Sequence, residues 1–357
     1  MYLLISIPVL LITLISIINF LTIIEPKTSF PIEEFVSVLL PVRNEAANIH
    51  ELVACLKAQT HLQRVEYIFL DDNSDDETLS LLETELPDLE NFTVIKGSPL
   101  PQGWIGKTWA LHQLMEASNG EIIVSIDADV RITPDAISRS ITSLKSQGLD
   151  FVSPYPRQLT TSLAERLIQP LLQWSWMSTL LLSMAKNSSH PSMAVANGQF
   201  FIVRRSALRV AGGYESVKSD VLDDVFLARN LIKSKAHGIV LNGSSLATCR
   251  MYSSWSQIES GYGKSLNRAF GSFVGSIAAI AFLFTTGVAP IVVALTGASW
   301  GLIAYALVVL TRILSAIRSK GRMIDSLLHP ISSIVLIYLI VYSWLMRGSI
   351  EWKGRTV

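Results

Sequence analysis

Two acidic clusters carry the clearest chemistry in the chain. One is Asp71-Asp72-Asn73-Ser74-Asp75-Asp76-Glu77-Thr78, which closes an apolar run, and the other is Asp127-Ala128-Asp129, which closes the run EIIVSI. Alternate carboxylates at a strand end can aim at one point where the chain turns, and hard oxygen ligands suit Mg²⁺ or Mn²⁺ completed by substrate phosphates. A solvated turn is the simpler reading of the same triplet. The first cluster fails as a calcium loop, because Asp76 stands where glycine is required and Leu82 where the bidentate glutamate is required. It also fails as a prenyl-diphosphate motif, which belongs inside a helix. As a loop at a strand end, Asp72 can accept hydrogen bonds from a nucleotide base, while Ser74 and Asp75 cap the next helix; capping alone is the other reading.

Three further groupings stand out. Pro101-Gln-Gly-Trp-Ile-Gly106-Lys107-Thr108 nearly matches the phosphate loop G-x-x-x-x-G-K-[ST], but Pro101 replaces the first glycine and removes an N–H from the cradle. What survives is Lys107 at a helix N-terminus near a diphosphate, against an exposed lysine with Trp104 packed on the surface. Asp223-Asp224 opens an amphipathic stretch and is either a general base with its neighbour or a helix cap. Arg250-Met-Tyr252-Ser-Ser-Trp255 and Gly261-Tyr262-Gly263-Lys264 can hold a diphosphate or a lipid headgroup, or anchor the chain at a bilayer interface. The histidines at 50, 61, 112 and 190 show no ligand spacing, and Cys55 and Cys249 make neither a disulfide framework nor a zinc site.

The elements that would position these groups alternate. Strand-type runs at 35–40, 65–70, 92–96, 121–126 and 149–153 are separated by helical patterns at 45–59, 76–86, 107–118 and 134–146. Such alternation specifies an α/β fold with a mostly parallel sheet, whose ligands lie at the carboxyl ends of the strands. Both acidic clusters fall at those ends.

Charge divides the 357 residues unevenly. None falls in 1–24 or 271–311, and residues 25–270 hold 49 of the 58 charged side chains. That is a soluble-like block of enzyme-domain size between apolar ends, which excludes both a purely soluble protein and a transporter with small loops. Formal net charge is zero, which gives no case for nucleic acid. Residues 2–24 are long enough to cross a ~30 Å hydrocarbon core and lack the basic start and small-residue site of a cleaved signal, so 1–24 reads as an uncleaved anchor. The expected division is a catalytic block at 25–267, membrane helices at about 268–289, 293–312 and 326–346, and a basic tail at 347–357. The basic loop 312–323 reads as cytoplasmic by the positive-inside rule. The tail reads the same way across one crossing, so either 326–346 is re-entrant, broken at His329-Pro330, or one side departs from the rule. The stretch 167–185 reads equally as a core or an interfacial helix.

Taken in order, VSVLLPVRNEAANI, LDDNSDDET, GWIGKTWAL, GEIIVSIDADV, NGQFFIVRR and LDD resemble a membrane-anchored family-2 glycosyltransferase over about 35–270. RMYSSWSQIESGYGKSL and the tail IEWKGR are similar to the group containing bacterial carotenoid and hopanoid-associated glycosyltransferases and, more distantly, ceramide glucosyltransferases. The resemblance implies a Rossmann-like GT-A fold and inverting transfer from a nucleotide sugar, UDP-linked, to a membrane lipid. It implies that Pro41, Arg43, Asn44 and Glu45 border the nucleotide, that Asp72 faces the uracil, and that Asp129 with Asp127 holds Mn²⁺ or Mg²⁺. Lys107 and Arg250 would then serve the diphosphate, and Asp224, with Asp223 in reserve, would be the base. Processive relatives carry Q-x-x-R-W, whereas Met251-Tyr-Ser-Ser254-Trp255 keeps only the tryptophan, which points to transfer of a single sugar. The pair here is Asp-Asp rather than Glu-Asp, and an acceptor that is itself a carboxylate needs no base. The implied setting is multi-pass in the plasma membrane, catalytic block in the cytoplasm. Rival readings are a polyprenyl-phosphate glycosyltransferase, a membrane ATPase and a non-enzymatic membrane adaptor.

Overall fold

A computed structural model describes residues 2–186, 188–347, 351, 352, 355 and 356. In chain order the elements are α1 (Tyr2–Thr22), β1 (Val36–Val42), α2 (Ala46–Lys57), β2 (Val65–Asp71), α3 (Thr78–Glu85), β3 (Phe92–Lys96), α4 (Gly106–Ala117), β4 (Ile122–Ile126), β5 (Val130–Ile132), α5 (Ala136–Ser146) and β6 (Phe151–Gln158). Then come α6 (Leu163–Thr179), α7 (Leu182–Ala185), β7 (Phe200–Arg204), α8 (Arg205–Val210), α9 (Asp223–Lys233), β8 (Gly238–Cys249), α10 (Trp255–Ala269), α11 (Phe273–Leu283), α12 (Ala289–Leu295), α13 (Ser299–Ser319) and α14 (His329–Leu345). The chain folds into two compact units, one of residues 24–157 and 184–249, the other of 1–23, 158–183 and 250–357. The expected catalytic block 25–267 therefore gives up 158–183 and 250–267 to the helical unit. Of the expected basic tail 347–357, residues 348–350, 353, 354 and 357 lie outside the described residues.

The first unit is built on an eight-stranded sheet of order β3-β2-β1-β4-β7-β6-β8-β5. Its β3, β2, β1 and β4 run parallel, and β7 then pairs antiparallel with β4 and with β6. β1 and β4 are continuous apolar runs because helices cover both faces of a parallel sheet; β4 is buried at every position. The register Val42↔Asp71 and Val38↔Val124 brings the carboxyl ends of β1, β2 and β4 to one edge. Ile49, Leu52, Val53 and Leu56 form the buried stripe of α2. One core joins Leu39, Ile68 and Ile123 of the strands to Leu111 and Leu114 of α4 and Leu227 and Leu231 of α9. The α/β expectation is met, with a half that contains antiparallel pairs supplied by β5, β6, β7 and β8.

Among the described residues, the second unit holds four helices long and apolar enough to cross a membrane: Tyr2–Thr22, Phe273–Leu295, Ser299–Ser319 and Met323–Leu345. The hairpin turns at 296–298 rather than at 290–292. Pro290 sits in the first turn of α12, where its missing N–H costs nothing, and Gly297 at φ +87° makes the turn. A π-helical turn at Phe284–Val288 joins α11 to α12 without ending the span. The span α13 continues to Ser319, so Arg312 and Arg318 stand on the helix and only 320–322 remain as loop. Pro330 likewise opens α14 instead of breaking it. The ambiguous 167–185 stretch divides into α6, started by a capping box of Ser162 and Glu165, and the short α7, and α6 packs on α1, α13 and α14. Ile168, Leu171, Trp174, Ile258, Val308 and Leu339 share its core.

Candidate active site

The sheet unit gathers a cluster of opposite charges at the carboxyl edge of its parallel strands. Asp127-Ala128-Asp129 is the tight link from β4 to β5, held by Asp127 N–H to the Gln199 carbonyl (3.1 Å) and Val130 N–H to the Asp127 carbonyl (3.1 Å). Lys107, at the second position of α4, donates to both oxygens of Asp127, at 2.7 and 2.8 Å. The start of α4 is fixed by Ile105 N–H on the Lys218 carbonyl (2.8 Å), and Thr108 Oγ1 donates to the Ile105 and Lys218 carbonyls, both at 2.9 Å. Gly106-Lys107-Thr108 is therefore a helix start that aims an ammonium at a carboxylate.

Asp223 and Asp224 open α9 beside the same lysine. Asp224 is locked from two sides, Oδ2 accepting from Gly198 N–H and Oδ1 from Val225 N–H, each at 2.7 Å. A β-carbon at Gly198 would lie 3.3 Å from both Lys107 Nζ and Asp224 Cβ, so a glycine is what lets lysine and aspartate close on this backbone. Burial opposes the charge on Lys107, but Asp127, Asp223 and Asp224 more than offset it and raise its affinity for a proton. Burial pushes Asp223 up to about 7 against the pull of Lys107, with Asp224 and Asp127 adding to the rise. Burial also raises Asp224, opposed by Lys107 and the two backbone N–H groups.

Asp129 lies on the other side of the triplet. Burial and the charge of Asp127 push it up to about 6, against a hydrogen bond from the Cys249 thiol. Cys249, at the end of β8 opposite Val130, also accepts from Gln199 Nε2 at 3.0 Å. With Asp127 engaged by Lys107, Asp129 is the carboxylate left to meet a cation. No set of three protein ligands occurs among the described residues. The donor set still fits Mg²⁺ or Mn²⁺ bound by one or two carboxylates and completed by substrate phosphates, and a cation would relieve the crowding that raises Asp129.

The ends of β1 and β2 form a second wall. Asp72 is 3% exposed and its N–H donates to the Val42 carbonyl at 2.9 Å. Arg43 Nη1 donates to the Asp72 and Asn73 carbonyls at 2.5 and 3.1 Å, and the Asn44 side chain accepts from Asp75 N–H at 2.8 Å. Glu45 N–H donates to Thr78 Oγ1 at 2.8 Å, and its carboxylate reaches Asn48 at 2.7 Å while acting on Asp129. Asn44 and Asn73 take left-handed backbone, φ 52° and 54°, which asparagine tolerates. Pro41 sits within β1 opposite Leu70.

Arg250 and Trp255 belong to the helical unit, with their partners. Arg250 Nη2 donates to Thr161 Oγ1 at 2.7 Å and lies 3.3 Å from Glu165. Trp255 begins α10 and stacks on Tyr338 at 6.2 Å. The sheet unit thus joins Lys107, Asp127, Asp129, Asp223 and Asp224, and adds Gly198, Gln199 and Cys249, which no local spacing marks. The motif NGQFF carries Gly198 and Gln199, and Cys249 lies outside it.

Known proteins resemble this chain in sequence and in fold. The model of the family described as glycosyl transferase family 2 matches residues 37–212. A 4,4'-diaponeurosporenoate glycosyltransferase of Staphylococcus haemolyticus is 24% identical over 226 residues, 61% of this chain and 56% of that protein. A beta-monoglucosyldiacylglycerol synthase of Trichormus variabilis is 28% identical over 203 residues, 54% of this chain and 40% of the relative. These matches span about half the length of the relatives or less. A mannosyltransferase from Pyrobaculum calidifontis, solved with GDP-mannose and Mn²⁺, superposes with TM-score 0.59 at 17% identity, over 95% of this chain and 94% of that one. Residues 37–212 thus match a family-2 glycosyltransferase domain, and the fold is of GT-A type.

Proposed function

We propose that the protein transfers one sugar from a nucleotide sugar, UDP-linked, to a lipid of the membrane in which its helices sit, with inversion at the anomeric carbon. The carrying observation is the cluster of Lys107, Asp127, Asp129, Asp223 and Asp224 at the carboxyl edge of a GT-A sheet. Four helices of spanning length and relatives named for a carotenoid acid and a diacylglycerol glycolipid support a lipid acceptor. In this reading Pro41, Arg43, Asn44, Glu45 and Asp72 border the nucleotide, and Arg250 and Trp255 of the helical unit meet a lipid headgroup. The helices lie in the plasma membrane with the catalytic domain on the cytoplasmic side, where nucleotide sugars are made.

Asp224 is the base because its carboxylate is held in one orientation by two backbone N–H groups, and geometry precedes proton affinity in choosing a base. The acceptor oxygen forms its bond to the anomeric carbon as the donor's carbon–oxygen bond breaks and its electrons leave with the diphosphate. The acceptor proton passes to Asp224; a carboxylate acceptor has none to give, and the pair then positions it. Lys107 keeps its charge against burial and stands ready for the growing negative charge. A Mn²⁺ or Mg²⁺ held by Asp129, with Asp127 beside it, would supply Lewis-acid stabilisation to the same diphosphate.

The test is transfer of label from radiolabelled UDP-sugars into the organic phase, by full-length protein in bilayers containing carotenoid, diacylglycerol and polyprenyl-phosphate acceptors. Label should enter one lipid, and Asp224→Asn should slow it by about 10²–10⁴ for a hydroxyl acceptor. Folded protein that moves no sugar from any nucleotide donor into lipid would overturn the proposal.

A further inference from the structure

The helical unit contains a polar cavity of its own. It holds about 30 Å³ and is lined by Gln169 and Gln173 of α6, Arg312 and Ser315 of α13, and Asp325 and Ser326 of the turn before α14. That is room for two oxygen-sized groups at roughly 10–15 Å³ each. Every one of the six is under 5% exposed. Arg312 stands seven residues before the end of α13, which at 1.5 Å per residue is about 10 Å inside a helix of spanning length. Gly321 and Arg322 also line the cavity, so it runs from that depth to the end of the helix.

A guanidinium at such depth needs a partner, since an ionised group in an apolar setting without one is costly. Arg312 Nη1 has no hydrogen-bond partner among the described residues. The acid nearest to hand is already engaged. Both oxygens of Asp325 accept from Arg166, at 3.0 and 3.1 Å from Nε and closer still from Nη2, and Arg322 Nε lies 4.0 Å away. Glu165, the other acid of this stretch, faces Arg250 and Thr161. Three arginines therefore share one aspartate around the cavity, an excess of positive charge beside a space for two oxygens. Tyr262 donates to Gln169 Oε1 at 3.0 Å, and Gln173 Nε2 meets the Met177 sulfur at 3.8 Å, so neither glutamine amide is turned onto the arginine by a short bond.

We propose that this cavity binds an oxyanion, the phosphate or carboxylate of an anionic lipid or a free phosphate ion, through Arg312 with Arg322 at its mouth. A planar guanidinium matches the paired oxygens of either group. This site is separate from the sugar-transfer reading and does not depend on it, and its test reads binding rather than turnover.

Full-length protein, stripped of lipid in neutral detergent, is titrated with short-chain phosphatidylglycerol, with phosphatidylcholine and with inorganic phosphate. Retention is read by native mass spectrometry and thermal unfolding. One phosphatidylglycerol should stay bound per chain and raise the melting temperature, while phosphatidylcholine should not. Arg312→Gln should weaken this by about tenfold or more, the worth of a charged hydrogen bond. Arg312→Lys, which keeps the charge, should recover part of it and guards against a folding defect in the glutamine variant. Lys320→Asn, exposed, outside the cavity and at a left-handed position that asparagine accepts, should bind as the parent does. Equal stabilisation by phosphate alone would assign the site to the soluble ion, and a response to phosphatidylglycerol alone would assign it to a lipid. The proposal is overturned if neither anion binds the parent. It is overturned equally if Arg312→Gln binds as the parent does, or if Lys320→Asn loses as much as Arg312→Gln.

Discussion

Replacing Lys107 by methionine removes the ammonium group that touches Asp127 and leaves three neighbouring acids, Asp127, Asp223 and Asp224, near one another. Breaking a fully buried ion pair by deleting one partner costs about 3–5 kcal/mol. Here the lysine and aspartate side chains keep 22% and 25% of their surface exposed, so water screens part of the loss. About 2–3 kcal/mol is the reasoned figure. For a unit of this size that is a fall of roughly 4–12 °C in melting temperature. The loss depends on pH in a definite direction. Without Lys107 the folded-state proton affinity of Asp223 and Asp224, already raised by burial, rises further above its unfolded value. The native state then binds more protons than the unfolded one, and stability falls as pH climbs through the raised range. Thermal unfolding of the full-length protein in detergent, parent against Lys107→Met, should show the larger deficit at pH 8 and a deficit about half as large at pH 5.5. A variant at least as stable as the parent, or one with the larger deficit at pH 5.5, would refute the claim that Lys107 neutralises the cluster.

Two further outcomes follow from the same geometry. Gly198→Ala places a methyl 3.3 Å from Lys107 Nζ and Asp224 Cβ and should cost about 1–3 kcal/mol, with a fall in turnover larger than any change in donor binding; unchanged stability and turnover would mean the close approach is not needed. Asp223 carries a raised proton affinity, near 7, so its ionisation opposes folding as pH rises from its unfolded range through neutrality. Asp223→Asn should therefore be more stable than the parent at pH 8 and by a smaller margin at pH 5, measured by thermal unfolding, and a larger margin at pH 5 would contradict the assignment.

In the parallel half of the sheet β1, β2 and β4 are legible in the sequence because each is a largely apolar run followed by polar or acidic residues. FVSVLL, VEYIFL and EIIVSI announce β1, β2 and β4 in this way, and the acids behind the last two mark the site. The antiparallel half is harder to see. β5 is three residues long, and β8 reads GIVLNGSSLATC, whose serines, asparagine and glycines suggest a loop although nearly all of it is buried. The link between Asp129 and Cys249 exists only in three dimensions, since β5 and β8 pair across more than a hundred residues of chain. A cysteine judged alone gave no hint of it. In the helical unit, proline and glycine at 287–290 resemble a turn by composition. A proline in the first turn of a helix and a π-helical turn before it let the helix run on to Leu295. The cluster of basic residues at 312–322 made Arg312 look like a loop residue, when α13 carries it as a buried charge inside an apolar span.

Nucleotide binding by the purified full-length protein tests the central claim most directly. UDP, GDP and ATP are each titrated by calorimetry, with and without Mn²⁺, against the parent and Asp129→Asn. The account expects UDP to bind best, to need Mn²⁺, and to be lost in Asp129→Asn while that variant remains folded. Binding of UDP that is indifferent to Mn²⁺ and to Asp129, or no nucleotide binding at all by folded protein, would contradict it.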